Sequence, residues 1–88
     1  MAICMVFDIR GGTQAQYDQL HAKLGPGLQP GQLSHFAGPA GESWFVVEVW
    51  ESLEAANAFF QDTFQPTIAG TGSPSPQPTV FPVYRMER

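Results

Sequence analysis

One segment of the chain, residues 43–52, is apolar on both of its alternating faces. It reads S-W-F-V-V-E-V-W-E-S, and this density of β-branched and aromatic residues predicts a β-strand. Successive side chains of a strand point to opposite faces, so the apolar residues form two sets: Trp44, Val46 and Trp50, and Phe45, Val47 and Val49. Both faces of this strand therefore require cover from other parts of the protein.

A helix is predicted directly after this strand. Ser52 is a suitable N-cap, and Glu54 in the first turn complements the positive end of the helix dipole. The alanine-rich sequence keeps a helical period as far as Phe64, and Pro66 is expected to end or kink the helix. Gly70 is the expected last stop.

The remaining sequence predicts three more strands and one more helix. The strands are expected over residues 3–9, 32–37 and 79–86, and a hairpin through residues 38–41 joins the second strand to the third. The helix begins after Thr13, which forms a capping box with Gln16, and it ends at Gly25. Pro82 within the last strand indicates an edge position or a bulge.

Residues 70–78 form the low-complexity segment of the chain. Their sequence, G-T-G-S-P-S-P-Q-P, can neither continue a helix nor pair as a central strand. We expect an extended connector here, and the alternative is a lid over a pocket.

The element order β-α-β-β-α-β predicts an α+β, ferredoxin-like fold, in which four antiparallel strands carry two helices on one face. The 88 residues correspond to a single domain, and a domain of this size buries only about 60–65% of its unfolded surface. The single cysteine, Cys4, leaves no intrachain disulfide to add stability. We therefore expect a homodimer, in which each subunit covers the bare sheet face of the other.

Charge and composition argue against several classes of partner. Eight acidic and four scattered basic residues give a net charge of -4, which disfavours nucleic acid and anionic membranes. The N-terminal residues resemble neither a signal peptide nor a membrane span, so a cytoplasmic protein is expected. Two histidines and one cysteine show no metal-ligand spacing, and Gly11-Gly12 lacks the rest of a dinucleotide fingerprint, so we expect no metal or other cofactor.

Glu48 is the one charged residue in the interior of the strongly apolar strand. Its burial is costly unless the carboxylate is paired, protonated or hydrated. Two interpretations remain open. Glu48 is a general base facing a pocket, or it has a structural role, either paired with Arg10 or Arg85 at the dimer contact or hydrated at the sheet edge. If the hairpin places His35 opposite Glu48, the two form a candidate catalytic acid–base pair. A register change of one residue moves His35 to the other face, and the sequence leaves this choice open.

Aromatic residues near Glu48 suggest a wall for a flat hydrophobic ligand. Trp44 and Trp50 share its face by alternation, although filling the core or an interface is the alternative role for both. Tyr84, in the last predicted strand, is a candidate hydrogen-bond donor to a ligand oxygen. His21 lies at the edge of the first helix's apolar stripe, where a boundary position is expected in preference to a pocket rim.

Four sequence segments resemble the dimeric α+β barrel superfamily, and within it the small proteins grouped with antibiotic-biosynthesis monooxygenases. They are His35-Phe-Ala-Gly-Pro39, V-V-E-V-W-E-S-L-E-A-A at residues 46–56, Phe64-Gln-Pro66 and Val80-Phe-Pro-Val83. The resemblance implies that two subunits join their sheet faces into a barrel and that ligands bind between each sheet and its helices. Trp50 matches a tryptophan that such relatives carry at this strand end, whereas Tyr84 stands where they tend to have histidine.

The resemblance implies a cofactor-independent monooxygenase-like activity on a small hydrophobic, aromatic or polyketide-like compound. In that interpretation Glu48 or His35 accepts a proton and the electron-rich substrate reacts directly with oxygen. Two alternatives remain: a cyclase or isomerase that uses the same acid–base pair, and a non-catalytic protein that binds a ligand or a partner. The non-catalytic alternative predicts that no cavity of about 300 Å³ or more is present.

Overall fold

A single antiparallel sheet in the strand order β2-β3-β1-β4 organises the protein. The computed structural model describes residues 1–69 and 77–87, so most of the predicted connector or lid over residues 70–78 lies outside the described residues. The strands are β1 (Ile3–Arg10), β2 (Gln32–Ala40), β3 (Ser43–Trp50) and β4 (Thr79–Pro82). The helices are α1 (Gln14–Leu24), α2 (Leu53–Phe59) and α3 (Gln65–Ile68), with a π-helical turn (Phe60–Phe64) between α2 and α3. This is the predicted α+β, ferredoxin-like fold.

The helix ends follow the local sequence signals. Thr13 caps α1, since its hydroxyl accepts from the Gln16 backbone N–H while the Gln16 side chain accepts from the Thr13 N–H, each at 3.2 Å. Gly25 ends α1 with a φ of 89°, a conformation that glycine adopts without steric cost. The Ser52 side chain accepts from the Ala55 N–H and so caps α2 as predicted.

The second helical segment changes its hydrogen bonding before Pro66. The Gln65 N–H bonds to the Phe60 carbonyl five residues earlier, which makes residues 60–64 a π-helical turn. Proline lacks an N–H and clashes with the carbonyl four residues before it, and the wider turn accommodates this defect within one continuous segment. The segment is thus distorted by proline without ending there.

Two predicted strand bounds are wrong. β2 continues through Pro39 to Ala40, which leaves a two-residue hairpin turn at Gly41 and Glu42, with Gly41 at a φ of 60°. Proline is tolerated there because β2 is an edge strand. β4 ends at Pro82 and does not reach residue 86, and its place at the other sheet edge agrees with the proline prediction.

The hydrophobic core lies between the helices and one face of the sheet, called here the inner face. It is built around Trp50, which is fully buried, together with Met5, Phe7, Val46, Ala56 and Phe59. The opposite, outer face carries Cys4, Phe36, Val47 and Val49. No helix among residues 1–69 and 77–87 combines the length and apolar character needed to cross a membrane.

Candidate functional site

The β2–β3 register places His35 directly opposite Glu48, so both side chains lie on the inner face. This is the register in which the two residues form a pair, and the hairpin produces it through its two-residue turn. Their side chains meet: His35 Nδ1 lies 3.2 Å from Glu48 Oε2. Glu48 is only 7% exposed, so this contact replaces much of the solvation that its carboxylate loses on burial.

A bulge in β2 adds Gln32 to the same face. The pairing passes from Gln32 opposite Trp50 to Ser34 opposite Val49, which leaves Leu33 as an extra residue. Gln32 and His35 are three positions apart and would point to opposite faces of a regular strand, but the bulge brings both inward. The buried Gln32 amide nitrogen lies 3.4 Å from His35 Nδ1, and the Gln32 amide oxygen accepts from the Gln29 N–H at 3.0 Å.

Trp50 holds the other oxygen of the buried carboxylate. Its indole N–H donates to Glu48 Oε1 at 3.1 Å. Trp50 is fully buried and is not among the residues that line the inner-face cavity described below. Its position behind the carboxylate fixes the direction in which Glu48 presents Oε2.

Tyr17 completes a hydrogen-bonded chain from β3 to α1. Its hydroxyl lies 2.5 Å from His35 Nε2, the nitrogen that is not in contact with Glu48. A carboxylate can only accept, so we assign the His35 proton to Nδ1, and Nε2 then accepts from the Tyr17 hydroxyl. The hydrogen bonds thus connect Trp50 to Glu48, Glu48 to His35, and His35 to Tyr17.

The surroundings of Tyr17 favour its neutral form. Burial raises its pKa, and the negative charges of Glu48 and Asp18 raise it further. Sequence reasoning missed Tyr17 as a site residue. The available signal was its position one helical turn before His21, which places both aromatic rings on one side of α1.

A cavity of about 220 Å³ adjoins this chain of hydrogen bonds. His35 and Glu48 line this cavity. His21 lines it as well, so it has a pocket-rim position where the sequence favoured a boundary position. The end of α1 and the following loop supply two glycines together with Leu24, Leu28 and Gln29, and the remaining lining residues are Gln32 and Phe59. The cavity thus combines an apolar wall with a few polar side chains, which is the usual character of a small-molecule site.

The other predicted site residues lie elsewhere. Trp44 packs against Tyr17 with ring centroids 5.5 Å apart, and its buried indole nitrogen has no hydrogen-bond partner among the described residues. Tyr84 follows β4, is 96% exposed and does not line the cavity. The structure therefore brings His35 and Glu48 together, places the two tryptophans behind or beside them, and leaves Tyr84 apart.

Within one chain, the two arginines considered as structural partners of Glu48 contact other carboxylates. Arg10 lies 3.9 Å from Glu42 at the hairpin turn, and Arg85 lies 3.6 Å from Glu87. Both contacts are on the surface. No cluster of three histidine, cysteine, aspartate or glutamate side chains within residues 1–69 and 77–87 has the geometry of a metal site.

Comparisons with known proteins support the fold. The chain matches no known protein-family model and no curated protein sequence. It is similar to the crystal structure of a protein from Chloroflexus aurantiacus J-10-fl that is provisionally named an antibiotic biosynthesis monooxygenase, with a TM-score of 0.70 and 23% sequence identity. The similarity covers 100% of this chain and 98% of that one. At this identity the likeness establishes a shared α+β, ferredoxin-like fold along the whole chain.

Proposed function

We propose that the inner-face cavity binds a small hydrophobic aromatic compound and that His35, oriented by Glu48, accepts a proton from it. The observation that carries this proposal is the partly buried Glu48–His35 hydrogen bond at the cavity wall. A carboxylate that holds one imidazole nitrogen leaves the other as the basic one and stabilises the imidazolium that forms on proton transfer. Leu24, Leu28 and Phe59 provide the apolar lining for the ring system.

The reaction that we propose is cofactor-independent monooxygenation, and the fold likeness to a provisionally named monooxygenase supports it. Loss of a proton to His35 makes the substrate anion electron-rich enough to react with molecular oxygen. The resulting carbon hydroperoxide loses water to form a carbonyl. For 1-naphthol, the balance is one naphthol and one dioxygen giving one 1,4-naphthoquinone and one water, with dioxygen as the oxidant. His35 returns its proton to the peroxide anion that forms first, and this gives the hydroperoxide.

The cavity size refines the choice of substrate. Its volume of about 220 Å³ lies below the range of roughly 300–1,000 Å³ that is common for drug-sized ligands. Compounds of one or two rings are therefore better candidates than large polyketides. The second candidate function, a non-catalytic binding protein, predicted no cavity of about 300 Å³ or more. The outer face has a cavity of about 440 Å³, lined by residues that include Phe36, Val49 and Met86, and this counts against that alternative.

Removing the acid–base pair tests the catalytic proposal. With 1-naphthol or anthrone as substrate, we expect oxygen uptake by Glu48→Gln and His35→Phe to fall about 100-fold to 10,000-fold, the usual contribution of general acid–base catalysis. The matched control is Glu42→Gln, which changes a carboxylate that is 89% exposed at the hairpin turn. Turnover equal to that of the unaltered protein in both site variants, or its absence in the unaltered protein, would contradict the proposal.

An anaerobic exchange experiment separates the oxygenase from the isomerase or cyclase alternative. A base that removes a proton beside a carbonyl catalyses deuterium exchange of 2-tetralone in D₂O without oxygen. Exchange that depends on His35, together with no oxygen-dependent product from 1-naphthol or anthrone, favours the isomerase or cyclase. Unchanged ligand affinity and no turnover in every variant favour the non-catalytic function.

We also propose that two copies of the chain associate through their outer sheet faces. Phe36 is 58% exposed on that face, beside Val47, and Phe81 on β4 is exposed as well. A second copy brings the same apolar surface and so provides a self-complementary cover, as a two-fold interface requires. The small size of the domain supplies the energetic reason for such association.

We expect sedimentation equilibrium at micromolar concentration to give twice the mass of one chain. Phe36→Asp should shift the equilibrium to the single-chain mass, because it places a charge within an apolar interface. Leu53→Asp is the matched control, since Leu53 is 49% exposed but lies at the start of α2 in the helix layer. A single-chain mass for the unaltered protein would contradict the dimer.

A further inference from the structure

Tyr17 occupies the nitrogen of His35 on which the proposed chemistry depends. Glu48 engages Nδ1, and the Tyr17 hydroxyl lies 2.5 Å from Nε2, so both imidazole nitrogens have partners within the protein. His35 lines the cavity and Tyr17 does not, so a ligand in the cavity can reach the ring of His35 but cannot bond to Nε2 while the tyrosine hydroxyl holds that nitrogen. Either the hydroxyl leaves or the ligand gains no contact with the basic nitrogen.

The aromatic neighbours of Tyr17 show what kind of group suits this position. Its ring lies nearly parallel to that of His35, with centroids 6.0 Å apart and planes 25° apart. The rings of His21 and Trp44 lie 5.7 Å and 5.5 Å from it. A phenol donating to an imidazole among aromatic rings is therefore the arrangement that the protein itself supplies.

We propose that the Tyr17 hydroxyl is an internal competitor for His35 Nε2, and that a ligand bearing an aromatic hydroxyl binds by replacing the tyrosine hydroxyl there. This inference rests on the proposed function, in which His35 takes a proton from the ligand. It adds the chemical group of the ligand that bonds to His35. It also implies that the Tyr17 hydroxyl occupies the basic nitrogen of His35 when the cavity is empty.

The charges and polarity of the site disfavour other ligand groups at Nε2. An ether or ketone oxygen can only accept, and it would face the lone pair of an accepting nitrogen. A carboxylate would approach the buried negative charge of Glu48. An ammonium group can donate, but its desolvation beside Leu24, Leu28 and Phe59 is costly. A neutral aromatic hydroxyl carries none of these penalties.

Binding of two naphthalene probes to wild type, Tyr17→Phe and Tyr84→Phe tests the inference. 1-Naphthol has the hydroxyl donor, and 1-methoxynaphthalene has the same rings without it. Tyr17→Phe removes the internal competitor, so we expect it to tighten 1-naphthol binding about 2-fold to 10-fold, the value of one hydrogen bond that no longer has to be broken. Affinity for 1-methoxynaphthalene should stay within about 2-fold of wild type, since that probe gains no bond to Nε2.

Tyr84→Phe is the matched control, because it removes a hydroxyl from a tyrosine that is 96% exposed. We expect it to leave both affinities unchanged. Weaker 1-naphthol binding in Tyr17→Phe, or equal changes for both probes, would overturn the inference. So would failure of 1-naphthol to bind the wild type.

A spectroscopic measurement on wild type tests the same displacement without a variant. With ¹³C-labelled tyrosine and ¹⁵N-labelled histidine, 1-naphthol should shift the Tyr17 Cζ and His35 Nε2 resonances, and 1-methoxynaphthalene should not. A Tyr17 signal that stays constant at saturating 1-naphthol contradicts the inference.

The outcomes distinguish the displacement from the proposed catalysis. If Tyr17→Phe changes 1-naphthol binding as expected but no turnover is found, the proposed catalysis is refuted and the displacement is not. Turnover that needs His35, with naphthol binding weakened by Tyr17→Phe, would refute the displacement alone.

Discussion

Replacing Trp50 with alanine is expected to lower the free energy of unfolding by about 3–5 kcal/mol, the usual cost of removing a large aromatic side chain from a core. Trp50 is fully buried and packs against Phe59 and Phe60, with ring centroids 5.3 Å and 6.2 Å away. The substitution also removes the indole donor from Glu48. Urea unfolding followed by far-ultraviolet circular dichroism measures the change.

Trp50→Phe separates the hydrogen bond from the packing, and Trp44→Phe is its matched control. Both variants shrink a tryptophan by the same amount, but the Trp44 nitrogen has no hydrogen-bond partner within the described residues. Trp50→Phe leaves one oxygen of a buried carboxylate without its donor, which costs about 1–3 kcal/mol beyond the change in packing. Equal destabilisation by the two variants would show that the Trp50–Glu48 hydrogen bond contributes nothing to stability.

Gly31→Ala is expected to lower the free energy of unfolding by about 2–5 kcal/mol through two separate effects. Gly31 has a φ of 82°, which is unfavourable for alanine, and its new Cβ would lie only 2.7 Å from the Cβ of Ala55. The backbone cannot easily move away, because the Gly31 carbonyl accepts from the Glu51 N–H at 2.8 Å. This contact joins the start of β2 to the start of α2.

Gly27→Ala isolates the backbone effect. Gly27 has a similar φ of 84°, but no atom lies within 4 Å of the position that a Cβ would take. We expect a cost of about 1–2 kcal/mol there, from the left-handed conformation alone. The difference between the two variants in chemical denaturation then measures the steric overlap with Ala55. Equal costs would mean that the close approach of Gly31 to α2 relaxes freely.

Local signals in the sequence predicted most of the fold. The Thr13 capping box, the Ser52 N-cap and the glycine that ends α1 depend on residues within one helical turn of each other, so their effects can be read without tertiary information. The ends of the strands were predicted less accurately than the ends of these helices. β2 accepts Pro39 because it lies at a sheet edge, and a strand's position within the sheet depends on long-range pairing.

The candidate site was predictable only in part. Glu48 is identifiable because a charge in an apolar strand needs an explanation, and His35 was linked to it on condition of one hairpin register. Tyr17 and Gln32 were missed. Tyr17 reaches the site because α1 packs across the sheet, and Gln32 turns inward only because of the bulge at Leu33.

The sequence by itself determined the order of the elements, the caps of α1 and α2, and a central strand whose two apolar faces both need cover. These properties follow from residue spacing and from local hydrogen bonds. The tertiary structure alone decided which side chains meet Glu48. Side chains alternate along a strand with a period of two, so a slip of one residue would move His35 to the outer face. The two-residue turn and the bulge, each set by pairing with β3, place His35 and Gln32 beside Glu48.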